Sequence, residues 1–253
     1  MSKITCISYG SKGYEKELNL NIKTAMQQGA DEAIGYGPDD IDEDYKRKNI
    51  RFFERKRGNG YWLWKPYLID RCLEKMTEGD WLIYVDAGLF YLNNLREFVN
   101  DLERKNLELV VAPTIYKEFK YTKRDIFVKT QTDVPAITQS LQRQSGAIFI
   151  RKNEKNVAFV KEWLRYIQMD SLVTDDENVY GLPNYDGFVE NRHDQSLLSV
   201  ISKKMGVGTE MSLYDDVIEM KTSKKILCYH HSQSGNKEWI YIKARVRKVL
   251  GKR

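Results

Sequence analysis

Asp86 stands in a setting that asks for a chemical explanation. It ends Trp81-Leu82-Ile83-Tyr84-Val85, a run of aromatic and β-branched residues, and precedes the small pair Ala87-Gly88. Such a run forms a buried strand, and the carboxyl end of a strand is where open α/β sheets bind ligands. A carboxylate there can hold a divalent cation, while Gly88 lets a phosphate come close to the backbone. An aspartate that simply caps the turn after the strand is the plainer alternative.

Two further constellations flank it. Upstream, Arg57-Gly-Asn-Gly-Tyr-Trp-Leu-Trp-Lys65-Pro66 places a basic, aromatic, glycine-bearing turn before a helix. Lys65, beside the exposed amides of a helix start, suits a diphosphate. Trp62 and Trp64 either stack on a sugar or base or fill the core. Downstream, Phe188-Val-Glu-Asn-Arg-His193-Asp194-Gln195-Ser196 runs into the apolar Leu197-Leu198-Ser199-Val200-Ile201. Asp194 therefore falls at or before a helix N-terminus, where capping and the helix dipole favour a carboxylate. His230 and His231 follow the last apolar run, where such a pair is ordinarily a surface feature.

These residues need elements to position them. Residues 3–8 read as a first strand, closed by the turn Tyr9-Gly10-Ser11-Lys12-Gly13, and residues 14–29 as a helix. A weak strand at 33–36 precedes a charged helix at 42–55. Pro66 to Met76 is a helix with proline at its start and Leu68, Ile69, Cys72, Leu73 and Met76 on one stripe. The central strand 81–85 follows, then helix 94–105 and strand 107–112. Strand 146–151, helices 157–169 and 194–204, and a last strand at 225–229 complete the order. Alternation of strand and helix predicts an α/β fold: one domain with a mixed, mostly parallel central sheet flanked by helices.

Composition narrows the class. The chain has 253 residues, is 42% hydrophobic and 30% charged, and carries five prolines. That excludes collagen-like, coiled-coil and largely disordered chains, and the length supports a core without covalent staples. Cys6, Cys72 and Cys228 lie far apart, which argues against a disulfide framework or a zinc knuckle and for a reducing compartment. The opening MSKITCISYGSKGY reads as no secretory signal, and no window reaches eighteen apolar residues. The expectation is a soluble, cytoplasmic protein.

Net charge is +5, unevenly spread. Residues 31–44 carry seven acidic side chains and no basic one, whereas 237–253 carry seven basic ones against Glu238 alone. The acidic stretch speaks against a surface that tracks nucleic acid. The basic tail, with Trp239, Ile240, Tyr241 and Ile242, is consistent with a solvated helix or with peripheral contact at the inner face of a membrane.

The run GYWLWKPYLIDRCLEKMTEGDWLIYVDAG from Gly60 to Gly88 resembles a group related to nucleotide-sugar-dependent glycosyltransferases of the GT-A fold. The resemblance continues through Tyr121–Phe127, Gln144–Ile150, the helix of Trp163 and Arg192–Ser196, and so spans most of residues 4–231. It implies a GT-A domain over 1–235 and a separate basic tail over 236–253. GT-A enzymes carry a DXD motif that binds metal and the donor diphosphate. The matching residues here are Asp86-Ala87-Gly88, without the second acid. His230 or His231 would then complete the shell of a Mn2+ or Mg2+ ion with Asp86, or Lys65 and an arginine would replace the metal. By position, Ser8, Tyr9 and Gly10 would meet base and ribose, and Gln144, Ser145 and Gly146 the donor sugar. Lys123, Arg124 and Asp125 would order a lid or touch the donor.

His193-Asp194-Gln195-Ser196 is similar to the HDES block of the blood-group and α1,3-galactosyltransferase family. Asp194-Gln195 is also similar to the DQ pair of glycogenin-like and lipooligosaccharide galactosyltransferases. Both retain anomeric configuration. The resemblance implies that His193 and Asp194 meet substrate hydroxyls and that Gln195 lies near the anomeric carbon. An amide is a poor covalent nucleophile, so retention implies front-side displacement. Inversion would instead need Asp194 or Glu190 as base. The resulting expectation is a hexosyltransferase of polysaccharide biosynthesis that uses a UDP-sugar donor and a glycan or lipid-linked acceptor. A sugar-phosphate nucleotidyltransferase and a non-enzymatic glycan or nucleic-acid binder are the alternatives.

Overall fold

The computed structural model describes residues 1–169, 171–215 and 225–229. His230, His231 and the basic tail lie outside the described residues. Within them the chain runs β1 (Ile4–Tyr9), α1 (Glu15–Gln27), β2 (Glu32–Tyr36), α2 (Glu43–Lys48), α3 (Ile50–Phe53), a short turn α4 (Gly58–Tyr61), α5 (Trp64–Lys75), β3 (Trp81–Val85) and β4 (Leu89–Tyr91). It continues through α6 (Leu95–Arg104), β5 (Leu109–Lys117), α7 (Glu118–Tyr121), α8 (Arg124–Thr130), α9 (Pro135–Thr138), β6 (Leu141–Arg151), α10 (Glu154–Ile167), α11 (Asp194–Lys204), β7 (Thr209–Glu210), β8 (Tyr214–Asp215) and β9 (Leu227–Tyr229).

Six strands form one sheet in the order β2-β1-β3-β6-β5-β7. β1 runs parallel to β2 and β3, and β5 parallel to β7, while β6 is antiparallel to both of its neighbours. The expected mixed, mostly parallel sheet is therefore present. A second sheet, β4-β9-β8, lies beyond the turn that follows β3. Its strand β9 ends at Tyr229 opposite Leu89, three residues from Asp86.

Side-chain alternation along β3 explains both the core and the site. Trp81, Ile83 and Val85 point to one face, where they pack with α1, α6 and the small sheet. Leu82 and Tyr84 point to the other, against the apolar stripes of α5, α10 and α11. Asp86 continues the second set, so the geometry of a strand aims its carboxylate at the helices that begin with Trp64 and Asp194.

Several elements differ from the sequence reading, among them the strand expected over 107–112, which runs on to Lys117. The helix expected over 42–55 is broken at Asn49, whose side-chain amide bonds the Tyr45 carbonyl and Gln168 and so competes with the helical ladder. The helix expected from Pro66 begins two residues earlier, at Trp64. β6 is longer than expected and begins at Leu141. Elsewhere local chemistry sets the ends: Asn94 caps α6 through the Glu97 amide at 3.1 Å, and Asn153 caps α10 through the Asn156 amide at 2.8 Å.

Candidate active site

Lys65 is the centre of the site. It sits in the first turn of α5 and is only 1% exposed. Its ammonium lies 2.7 Å from Oδ2 of Asp194 and 3.3 Å from Oδ1 of Asp86. It also donates to the carbonyl and the hydroxyl of Ser145, each at 3.3 Å. Ser145 in turn donates to Oδ2 of Asp194 at 2.8 Å, and Tyr84 donates to Oδ1 of Asp86 at 2.5 Å. Four elements (α5, β3, β6 and α11) thus converge on one buried ammonium. Its charge needs these partners, because an unpaired buried cation is strongly unfavourable.

The electrostatics follow. Burial acts to lower the Lys65 pKa, but Asp194 and Asp86 outweigh it and hold the group above the ordinary lysine value. Asp86, although nearly half of its side chain is exposed, is pushed above the usual carboxylate range by the protein around it. Lys65 and the Tyr84 hydroxyl oppose that rise, and the Asp194 charge adds to it. Burial, reinforced by Asp86, keeps Tyr84 a neutral phenol.

Among the described residues, two cavities open onto this cluster. The smaller, about 230 Å³, is lined by Lys65, Ser145, Asp194, Gln195, Arg57 and Glu190, among others. The larger, about 680 Å³, extends past Tyr9, Lys12, Lys56, Asn59, Trp64 and Gly88. Asp86 and Trp62 line both and so mark the junction.

Trp62 reaches the junction through an unusual backbone. Gly58, Asn59, Gly60, Tyr61 and Trp62 all have positive φ, between 51° and 93°. Glycine is required at two of these positions. A Cβ on Gly58 would fall 2.3 Å from the Trp62 indole, and one on Gly60 2.8 Å from Phe53. Tyr61 and Trp62 adopt the left-handed region at a cost of roughly 1–2 kcal/mol each. The turn is held by backbone bonds from Gly60 to Arg55, Tyr61 to Arg57 and Trp62 to Gly58.

His193 is a further strained residue, with φ 55° and ψ −118° immediately before α11. Its ring stacks on Trp62 at 5.1 Å, and Nδ1 lies 2.7 Å from the Val173 carbonyl, which makes Nδ1 the protonated nitrogen. Among the described residues Nε2 has no hydrogen-bond partner, and it lies 3.9 Å from Asp175. Burial pushes the His193 pKa below its ordinary value, against the opposing pull of the Val173 carbonyl and the nearby carboxylates.

The sequence candidates fall into three groups. Lys65, Asp86, Ser145, His193, Asp194, Gln195 and Trp62 meet at the smaller cavity, and Tyr9, Trp64 and Gly88 line the larger. An added Cβ at Gly88 would meet no atom within 4 Å, so this glycine leaves room on the cavity side. Ser8, Gly10, Gln144 and Gly146 line neither: Ser8 is buried, Gly10 packs on Leu18, and Gln144 donates to the Pro113 carbonyl. Trp64 stacks on Tyr9 at 3.8 Å and is 4% exposed, so it builds the wall and Trp62 presents the more open indole. Lys123 and Asp125 are buried and tie down residues 171–180, including the backbone at Ser171, Glu177 and Val179. Arg57, Tyr84, Asp175 and Arg192 also line or support the site, although the sequence gives Asp175 no local signal. For Tyr84 the alternation along β3 was a usable signal.

Among the described residues no three His, Cys, Asp or Glu side chains converge as metal ligands. The carboxylate at the junction is paired with the Lys65 ammonium, and the neighbouring Asp194 is taken up by that same ammonium and by Ser145. The described residues therefore do not by themselves form a divalent-cation site, and His230 and His231 lie outside them.

Comparison with known proteins agrees with this architecture. A glycosyltransferase involved in the glycosylation of the major capsid of PBCV-1 matches with a TM-score of 0.51 and 11% identity, over 96% of this chain and 99% of that one. The apo bifunctional glycosyltransferase WbbM matches with a TM-score of 0.51 and 10% identity over 98% of this chain, which spans about half (52%) of that protein. At these identities the likeness establishes the fold. No family model and no curated protein matches the sequence.

Proposed function

We propose that this chain is a glycosyltransferase that moves a sugar from a nucleotide-diphosphate donor, a UDP-sugar first among them, to a glycan or lipid-linked acceptor. One observation carries the reading: a larger and a smaller cavity meet at Asp86, at the carboxyl end of the central strand, over the Lys65–Asp194 pair. The larger cavity, walled by Tyr9 and Trp64, suits base and ribose. The smaller, lined by hydrogen-bonding groups, suits a sugar. The fold shared with solved glycosyltransferases supports it.

In this reading the sugar sits over Ser145, Asp194 and Gln195, and the bond to the diphosphate lies near Asp86. Positive charge developing at the anomeric carbon is favoured by a cluster holding two carboxyl groups to one ammonium. Gln195 is held as a fixed dipole: its Nε2 donates to Gln142 at 2.6 Å and its Oε1 accepts from the Ser145 amide at 3.4 Å. A fixed amide suits front-side displacement with retention, the leaving diphosphate taking the acceptor proton.

An inverting reaction is the second reading, and one contrast favours Glu190 over Asp194 as its base. Asp194 is 6% exposed and its Oδ2 is occupied by both Lys65 and Ser145, whereas Glu190 is 46% exposed on the wall of the smaller cavity. Glu190 is the better-placed base. Donor turnover with the anomeric configuration of the product read by NMR tests both readings: retention supports the first, inversion the second, and no turnover with any nucleotide sugar removes the function.

Among the described residues no helix is long and apolar enough to cross a membrane. Contact of the basic tail with a membrane surface remains part of the proposal for a lipid-linked acceptor.

A further inference from the structure

A donor at the cavity junction raises an electrostatic question: what holds its diphosphate. Lys65 is shared between Asp194 and Asp86, one cation against two carboxyl groups, so this cluster offers an anion no net attraction. Cations must come from the walls. Among the described residues, Lys12 and Lys56 line the larger cavity, and Arg57 and Arg192 the smaller. Arg192 is engaged with the rings of Tyr116 and Tyr121, at 4.5 and 4.3 Å, and lies 3.5 Å from Glu190. Lys56 and Arg57 are consecutive, one on each cavity, and lead directly into the left-handed turn that carries Trp62 to the junction.

We propose that Lys56 and Arg57 clamp the diphosphate of the donor, with Arg57 exchanging Asp175 for a phosphate oxygen. The inference rests on the nucleotide-sugar reading above. Arg57 is half exposed, and its Nη1 lies 3.2 Å from Oδ2 of Asp175, which is itself 41% exposed and also accepts the Tyr61 hydroxyl at 3.1 Å. An exposed arginine–carboxylate pair contributes little, whereas a guanidinium on a phosphate makes shorter, bidentate, charge-assisted bonds. The exchange therefore favours the phosphate. Three of these five left-handed residues, Asn59, Tyr61 and Trp62, are not glycine, and strain of that kind concentrates at ligand clamps. Here that strain turns the chain so that Lys56, Arg57 and Trp62 face the two cavities together.

The test is a titration of the intact chain with UDP, UMP and uridine, and in parallel with GDP, GMP and guanosine. The variants are Lys56→Ala, Arg57→Ala and Asp175→Asn, and all three side chains are exposed or half exposed. Removing a charged partner of a phosphate costs roughly 10- to 100-fold in affinity. Each basic variant is expected to lose about that much for the diphosphate while nucleoside binding stays unchanged. Asp175→Asn, which removes the competitor, is expected to tighten diphosphate binding several-fold. Wild-type preference for a diphosphate that survives in both basic variants overturns the clamp and leaves the donor reading standing. Absence of any nucleotide binding in the wild type overturns that reading, and the clamp with it.

Discussion

The ammonium of Lys65 and the carboxylate of Asp194 lie 2.7 Å apart, and neither side chain is more than 6% exposed. One comes from the start of α5 and the other from the start of α11, so the pair fastens together the two helices that cover the same face of the sheet. Asp86 meets the same ammonium from the end of β3. The pair is at once the keystone of that face and the floor of the smaller cavity, which couples folding to the site.

Lys65→Met leaves the buried Asp194 and the neighbouring Asp86 without their cation. Breaking a buried ion pair from one side costs about 3–5 kcal/mol, and a loss in that range is expected from urea unfolding. A loss below about 1 kcal/mol would show that the pair is not holding the helices.

The Lys65 pair also fixes a pH dependence. With the folded pKa raised above the unfolded value, its contribution is fully present below the ordinary lysine pKa and disappears as pH rises through the folded one. Urea midpoints between pH 9 and 12 should therefore fall more steeply for the wild type than for Lys65→Met. Equal slopes would contradict the assignment.

His193 gives the opposite window. Its folded pKa is depressed, so the unfolded chain binds the proton more readily, and stability is lost as pH falls below the ordinary histidine value toward the folded one. His193→Gln should flatten the stability profile below about pH 6.5. An NMR titration placing the His193 pKa at or above that value would falsify the account of a neutral, buried ring.

Gly58→Ala should disturb Trp62 rather than the core. The new Cβ meets the indole at 2.3 Å and must adopt a positive φ. A destabilisation of at least 1–2 kcal/mol, roughly the left-handed penalty, is expected together with a shift in tryptophan fluorescence. An unchanged emission spectrum would mean that Trp62 is not held where the cavities meet.

Much of the site was legible because single-strand patterns carry it. The apolar run 81–85 places Asp86 at a strand mouth, and the polar-to-apolar switch at Asp194 places that residue at a helix start. The partnership of Lys65 with both was not legible, since nothing local in Trp64-Lys65-Pro66 says which distant carboxylates will surround it. Arg57 was visible as charge but not as a wall, because Tyr61 and Trp62 give no sign in their type that they will take left-handed backbone. The reversal of β6 was hidden for a similar reason. Short helices between β5 and β6, rather than one crossover helix, allow the antiparallel return.

Donor binding is the claim on which the rest depends. A thermal-unfolding panel of UDP, GDP, CMP and dTDP, each with Mn2+ and with EDTA, tests it most directly. A ligand bound only by the folded chain stabilises it by about 2.7 kcal/mol at a hundredfold excess over Kd. The account predicts a shift selective for one nucleotide, UDP foremost, that weakens in Arg57→Ala. Survival of the shift in EDTA would assign the diphosphate to the protein's own cations, and dependence on Mn2+ would assign part of it to a metal. No shift with any nucleotide would contradict the account.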